Sequence, residues 1–261
     1  MRLADVTEKT QNAFFRCLHL EIPEDREITA IRRQWYEKNK AKGLRAKVLI
    51  LDDGEFGGLC QYLPIEHSPL LGEDLLAILC MWVHGYDHLA GNQQSKGLGR
   101  FILNSIEDDA RTSGAKGVAA WGIDWEINWM PVNFYEHMGY SRVDREDKVV
   151  VLWKPFSPDA KPPSLKRLAT PPSKGTRKVK VTVAANGWCG CQKYLDARKA
   201  VTGLEDRVEY EELDAPDVAT ILHVGNVGGI FLDGKAFKPY APPGTSDELR
   251  AEILRLYEEK Q

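Results

Sequence analysis

The feature that most constrains the fold is a proline-rich stretch at residues 155–178, which holds six of the chain's 14 prolines. Lysines and arginines lie between these prolines, and large apolar residues are few. Such a segment cannot bury enough apolar surface to fold alone and favours extended geometry. Strand and helix patterns resume after it. We therefore predict a first domain at 1–154, a linker at 155–177 and a second domain at 178–261, with a long surface loop across one domain as the alternative.

Composition excludes several classes of protein. The 261 residues suit one or two domains, and 43% hydrophobic residues suffice for packed cores. A net charge of -3 gives no basic field for nucleic acid. The longest apolar runs, such as 75–83, are too short to cross a bilayer, and the N-terminus has no apolar signal core. We expect a cytoplasmic protein without membrane or nucleic-acid partners, whose five cysteines are mostly reduced.

Hydrophobic periodicity predicts the elements of the first domain. Helices are expected at 10–18, 25–42, 99–112 and 131–138. Residues 46–63 read as two strands around an Asp-Asp-Gly-Glu turn, and further strands are expected at 75–83, 116–122 and 148–153. This pattern predicts an α/β (α+β) fold with a mixed, largely antiparallel sheet flanked by helices.

A glycine-rich turn joins the predicted strand at 75–83 to the next helix. It reads Gln94-Ser95-Lys96-Gly97-Leu98-Gly99. Glycines let the backbone approach an anion, and the free amides and dipole of the following helix favour negative charge there. Lys96 and Arg100 add positive charge. The turn therefore favours pyrophosphate binding; a plain tight turn is the alternative.

At these residues the sequence resembles the GNAT superfamily. Gln94, Gly97 and Gly99 match that family's Gln/Arg-x-x-Gly-x-Gly/Ala, and residues 133–140, NFYEHMGY, match its F-Y-x-x-x-G-Y/F helix. The resemblance covers roughly residues 1–154, although the loop with His84 and His88 is longer than usual. It implies an N-acetyltransferase that uses acetyl-CoA or another acyl-CoA, acts on a small-molecule or peptide amine, and is a candidate homodimer. The donor-binding residues that it implies are Met81, Trp82, Val83, Gln94, Ser95, Lys96, Gly97, Leu98, Gly99, Arg100, Asn133 and Tyr135.

The resemblance also implies a mechanism of direct attack by the amine on the thioester. A splay near 81–83 would offer backbone N–H groups to the thioester oxygen. Tyr135 is the implied acid for the departing thiolate, with a packing role as its alternative. Asp124 and Glu126, which follow a strand, are candidate bases. Glu66, His67 and a water relay are further candidates, and each of these charges also suits a solvated loop.

The second domain has a different pattern. Its predicted order, βαβαββα, resembles a small thioredoxin-like fold, and Trp188-Cys189-Gly190 resembles the active-site turn of that fold. The combination resembles the YoaP-like acetyltransferases. Two features depart from thioredoxins, since the cysteines are spaced Cys-x-Cys and no proline precedes Ile230.

The two cysteines of this turn, Cys189 and Cys191, leave three interpretations open. A helix start favours the thiolate of Cys189, and a strained disulfide with Cys191 would exchange readily. The pair is also suited to a soft metal ion, or to two inert thiols in a docking module. Rival functions for the whole chain are therefore a thiol–disulfide oxidoreductase, a soft-metal binder and a non-catalytic acyl-CoA sensor.

Overall fold

The computed structural model describes residues 1–20, 24–124, 130–146, 148–166, 177–185, 188, 190–214, 229–237 and 246–261. The chain divides into two compact units, Met1–Leu165 and Lys166–Gln261. In the described part of the chain, no helix combines the length and apolar character needed to cross a bilayer.

The first unit contains nine strands and four α-helices in its described residues. In chain order they are β1 (Arg2–Asp5), α1 (Gln11–Phe15), α2 (Arg26–Lys40), β2 (Arg45–Ile50), β3 (Phe56–Pro64), β4 (Leu70–Leu71), β5 (Leu75–Val83), α3 (Leu98–Thr112), β6 (Gly117–Ile123), α4 (Val132–His137), β7 (Ser141–Glu146), β8 (Val149–Pro155) and β9 (Ser164–Leu165). A 3-10 turn at Ile65–His67 follows β3.

Seven of these strands form one sheet in the order β1-β2-β3-β5-β6-β8-β7. Every neighbouring pair is antiparallel except β5 and β6, which are parallel and joined through α3. Helix α3 packs against β3, β5 and β6 and buries Ile102, Leu103 and Ile106. The predicted mixed, largely antiparallel sheet flanked by helices is confirmed.

Helix ends explain two differences from prediction. Helix α2 begins after Asp25, whose side chain accepts hydrogen bonds from the amides of Glu27 and Ile28, as an N-cap should. Helix α1 is shorter than the predicted 10–18. The Cys17 amide donates to Phe14 O at 3.0 Å and the Leu18 amide to Ala13 O at 2.9 Å. This pair of hydrogen bonds is a Schellman ending, so the apolar pattern runs on while the helix stops.

Two strands of this sheet were not predicted, namely β1 and β7. Both lie at edges of the sheet. The sequence of β7 is SRVDRE, which has no run of apolar residues. An edge strand pairs on one side and exposes the other, so it does not need the apolar alternation that identifies central strands.

The first residues of the predicted linker, up to Leu165, belong to the first compact unit. Strand β8 continues through Pro155, and the Phe156 amide donates to Lys116 O at 2.7 Å. Strand β9 then pairs with β4, which buries Leu165. Residues 156–165 therefore lie against the first unit, because an apolar side chain and backbone hydrogen bonds hold them there. Residues 167–176 lie outside the described residues.

The second unit has six described elements. They are β10 (Val179–Ala185), α5 (Cys191–Val201), β11 (Val208–Asp214), β12 (Gly229–Leu232), β13 (Lys235–Ala236) and α6 (Ser246–Glu258). The sheet order is β11-β10-β12-β13, with β10 and β11 parallel and the other pairs antiparallel. Buried Val181 and Val183 pack with Ala197, Leu249 and Ile253 in its core. The short helix predicted at 218–222 lies outside the described residues, and the thioredoxin-like identity stays a prediction.

Candidate functional site

The site begins where β5 and β6 part. The two strands pair only at Leu75–Gly117, Leu76–Val118 and Ala77–Ala119. Beyond these pairs, β5 stays paired with β3 and β6 stays paired with β8. A wedge therefore opens between β5 and β6. A bulge marks the start of the wedge: Ile78 faces Tyr62 and Cys80 faces Gln61, which leaves Leu79 without a counterpart. Such an extra residue bends a strand and ends regular pairing.

The wedge exposes one backbone edge of β5. The His84 amide donates to Gly57 O of β3 at 3.0 Å. Because amides alternate in direction along a strand, those of Met81 and Val83 point away from β3 and toward the wedge. Met81, Trp82 and Val83 all line the pocket there. The splay expected at 81–83 is therefore present in this structure.

The pocket has a volume of about 490 Å³ and extends from the wedge to the start of α3. Of the sequence-predicted residues it brings together Met81, Trp82, Val83, Gln94, Ser95, Gly97, Leu98, Gly99 and Arg100. Lys96 and Asn133 do not line it. The Lys96 ammonium donates to Gln93 Oε1 at 3.3 Å, while the Asn133 carbonyl pairs with the His137 ring at 2.6 Å.

The N-terminus of α3 forms the charged end of this pocket. Its N-cap, Gly97, has a φ of 82°, and no side chain caps the helix. The first amide of α3 with a backbone hydrogen bond is that of Phe101, which donates to Gly97 O at 3.1 Å. The amides of Leu98, Gly99 and Arg100 have no partner among the described residues. Three adjacent free amides on the positive end of a helix dipole make an anion site.

The two glycines of this turn act differently. A Cβ at Gly97 would meet nothing within 4 Å, so the space beside it is open to a ligand. A Cβ at Gly99 would lie 3.2 Å from Phe134 Cε2 and 4.0 Å from Val83 Cγ2. Gly97 therefore keeps the approach to the amides clear, while Gly99 lets α4 pack closely against α3.

The structure places Tyr135 in the core behind the pocket. Its side chain is 1% exposed, and its hydroxyl lies 4.0 Å from the sulfur of Met130, a residue that does line the pocket. Burial raises the pKa of Tyr135 above its ordinary value, and the thiols of Cys80 and Cys60 add to this. The hydroxyl is thus protonated at neutral pH, and Tyr135 itself does not line the pocket, whereas its neighbour Met130 does.

Two candidate bases, Asp124 and Glu66, do not line this pocket. Asp124 Oδ2 accepts hydrogen bonds from Arg142 at 2.9 Å and from Arg145 at 3.1 Å, which makes it part of an ion-pair network. Glu66 accepts a hydrogen bond from the Asp74 amide at 3.3 Å. Neither carboxylate lines the pocket, and Glu126 lies outside the described residues.

In the second unit, Cys191 is the first residue of α5 and is buried. Its thiol donates to Trp188 O at 3.1 Å. Cys189 lies outside the described residues, so the structure does not test the pairing of the two thiols. Within the described ranges, no group of three or more His, Cys, Asp and Glu side chains is placed to hold a metal ion.

Sequence reasoning missed the far wall of the pocket. Met130, Pro131, Phe134, His137 and Met138 close the side opposite β5. All five belong to α4 or its flanks. A weak signal for this wall was present in the sequence, since a glycine within a helix, such as Gly99, often has a packing reason.

No protein-family model matches the sequence, and no curated protein sequence matches it. In shape, the chain is similar to solved acetyltransferases. A GNAT-family acetyltransferase from Staphylococcus aureus Mu50 is 12% identical, with a TM-score of 0.44, over 60% of this chain and 99% of its own.

Two further solved structures are similar over the same share of the chain. The aminoglycoside 6'-N-acetyltransferase from Enterococcus faecium is 15% identical, with a TM-score of 0.44, over 62% of this chain and 100% of its own. The ribosomal-protein-S18-alanine N-acetyltransferase from Escherichia coli is 13% identical, with a TM-score of 0.41, over 60% of this chain and 94% of its own. Because these values are low, the function proposed below rests on the geometry of this chain's own site.

Proposed function

We propose that the first unit is an N-acyltransferase that moves an acyl group from acyl-CoA, with acetyl-CoA as the expected donor, to an amine. One observation carries this proposal: a single pocket joins three amides at the start of α3 to an edge of β5, and within the described residues neither surface has a backbone partner there. The acyl-CoA donor has a pyrophosphate and an amide-containing arm that ends in a thioester. These two parts need these two surfaces. The motifs at 94–99 and 133–140, which resemble the GNAT superfamily, add support.

The amides of Leu98, Gly99 and Arg100 suit the pyrophosphate of the donor. An anion at this position gains hydrogen bonds and the favourable end of the helix dipole. Arg100 lines the same pocket and adds a charge-assisted contact. The open space beside Gly97 leaves room for the phosphates to reach the amides.

The exposed edge of β5 suits the amide-containing arm. A ligand with its own N–H and C=O groups can pair with a strand edge as another strand would. The amides of Met81 and Val83 then face the thioester end, where negative charge develops on oxygen during transfer. Fixed N–H groups at this position stabilise that charge more than they stabilise the ground state.

The acyl donor supplies a thioester carbon that an amine nitrogen attacks. The nitrogen–carbon bond forms as the carbon–sulfur bond breaks, and the electron pair leaves on sulfur. An ammonium loses two protons overall, one to water and one to the departing sulfur. We propose that Tyr135 relays the second proton: its hydroxyl, which burial keeps protonated and which contacts the pocket-lining Met130, gives its proton to the departing sulfur and regains one from the attacking nitrogen.

For the second unit we propose a separable, thioredoxin-like accessory module that begins after Leu165. The sheet order β11-β10-β12-β13 and its single parallel pair support this, as does a helix that opens on Cys191. Its role as a thiol-active partner of the acyltransferase depends on Cys189 and stays a prediction.

The test of the function is release of free thiol from acetyl-CoA by the full chain against a panel of primary amines. An N-acyltransferase releases thiol in proportion to the amide formed. A sensor binds acetyl-CoA without releasing thiol in the presence of any amine, and that result would overturn the proposal.

A further inference from the structure

A patch of aromatic rings lies beside the wedge, on the loop that follows β5. We define the aromatic patch as Trp82, Tyr86, His88 and His19. The Tyr86 and His88 rings stack with centroids 5.3 Å apart and planes 7° apart. The Tyr86 ring also contacts Trp82 at 6.1 Å and His19 at 5.5 Å. The four rings therefore form one connected surface.

The patch is partly exposed: Tyr86 and His88 are exposed, while Trp82 and His19 are half-buried. Among the described residues, the exposed large hydrophobic side chains are those of Met1, Leu71, Tyr86 and Leu89. Two of these four, Tyr86 at 42% and Leu89 at 46% exposure, lie on this one loop. Apolar surface that is concentrated beside a pocket indicates a binding surface.

The loop at 84–93 holds the patch in place. The His84 ring is buried, and its Nδ1 must donate to Gly91 O at 3.0 Å, because a carbonyl oxygen only accepts. The Gln93 amide donates to His84 O at 2.9 Å, and the Gly91 amide to His88 O at 3.0 Å. Because the loop closes on itself, the rings are pre-organised and a ligand binds them at a lower entropic cost.

The position of Trp82 connects the patch to the reaction. Trp82 lines the pocket between Met81 and Val83, whose amides face the wedge. The Val83 side chain points toward Gly99 of α3. Side chains alternate along a strand, so Trp82 extends to the opposite face. Trp82, one ring of the patch, therefore extends to the face of the sheet opposite α3, whose N-terminus forms the anion site.

We propose, resting on the function proposed above, that the aromatic patch binds the acceptor and selects primary amines that carry an aromatic ring. Ring faces stack on a flat aryl group and also attract the ammonium that accompanies it. Asp87 is the single acidic residue in the loop at 84–93. A flexible polyamine would therefore find one carboxylate there and four rings that give it little stacking area.

The experiment compares phenethylamine with cyclohexylethylamine, which has the same length and similar bulk but no aromatic ring. The full chain is assayed with saturating acetyl-CoA by thiol release. We expect kcat/KM to be about tenfold higher for phenethylamine, the size of one aromatic stacking contact. Equal values for the two amines, or a higher value for putrescine, would overturn the aromatic assignment while leaving the acyltransferase proposal intact.

Variants test whether the Tyr86 ring itself selects the amine. Tyr86→Ala should raise KM for phenethylamine about tenfold, with kcat preserved and cyclohexylethylamine little affected. Tyr86→Phe keeps the ring and should behave as wild type. Leu71→Ala, the matched control, removes an equally exposed apolar side chain from β4 and should change neither amine. Calorimetry with coenzyme A checks that Tyr86→Ala keeps the donor site.

If Tyr86→Ala raises KM equally for both amines, selection by the ring is contradicted. If acetyl-CoA binds but no amine in the panel releases thiol, the acyltransferase proposal fails, and the inference about the patch fails with it. These two failures are distinguishable, because the first retains turnover and the second does not.

Discussion

The substitution Gly97→Asp tests the anion site directly. Position 97 is the N-cap of α3, and the space beside it is open. Aspartate tolerates the left-handed φ of 82° better than most residues, and its side chain enters open space, so the fold should survive. Its carboxylate, however, occupies the helix end where the pyrophosphate of the donor should bind. We therefore expect a folded protein that binds acetyl-CoA poorly.

The size of the effect follows from the distance between the charges. An anion on the amides of 98–100 would lie roughly 5 Å from a carboxylate at 97, and at an effective dielectric constant of about 20 two unit charges repel by about 3 kcal/mol. Solvent exposure lowers this toward about 1 kcal/mol. A central value of about 2 kcal/mol corresponds to a rise in Kd of about thirtyfold.

The assay is calorimetry with acetyl-CoA, and Gly114→Asp is the matched control. Gly114 has a φ of 77°, has no atom within 4 Å of an added Cβ, and lies just past the other end of α3. The control therefore carries the same backbone strain and the same charge, away from the amides. An unchanged Kd in a folded Gly97→Asp protein would refute the anion site, and so would an equal loss in Gly114→Asp.

Three further predictions concern catalysis, packing and pH. Tyr135→Phe should lower kcat at least about tenfold and leave KM near wild type, since a general acid acts in the transition state; steady-state kinetics with wild-type kcat would remove the hydroxyl from the mechanism. Gly99→Leu should lower the melting temperature, with a cost of at least about 1 kcal/mol, because its Cβ would already lie 3.2 Å from Phe134 Cε2 and the rest of the side chain would displace that ring; an unchanged melt would contradict this packing. Burial raises the pKa of Asp109, but hydrogen bonds from Lys47 and Tyr62 outweigh it and hold the pKa below its ordinary 3.8. Its contribution to stability is present above that value and is lost as the pH falls through the lower folded pKa. Asp109→Asn should therefore make the free energy of unfolding depend less on pH in the acid range. An unchanged pH dependence in denaturation experiments would argue against this role.

The sequence was sufficient for the parts of the site that depend on local patterns. Strand β5 has the predicted bounds of 75–83, and the turn at Gly97 leads into a helix as expected. Both follow from short-range signals: a continuous apolar run, and a glycine where φ is positive.

Other features depend on contacts between distant residues and had no local signal. The wedge follows from the bulge at Leu79, which is defined only by how β5 pairs with β3. The inward position of Tyr135 depends on packing against Tyr140 and Met130. Asp124 looked like a free loop carboxylate, but Arg142 and Arg145 of β7 pair with it, and that edge strand carries no apolar alternation.

The most direct test of the central claim is to trace an isotopically labelled acetyl group from acetyl-CoA by mass spectrometry. The full chain is incubated with labelled acetyl-CoA and phenethylamine, alongside the Gly97→Asp and Gly114→Asp variants. The account predicts label on the amine nitrogen as an amide, equal in amount to the thiol released, formed by wild type and Gly114→Asp and strongly reduced in Gly97→Asp. Thiol release without a labelled amide, or transfer that Gly97→Asp leaves unchanged, would contradict it.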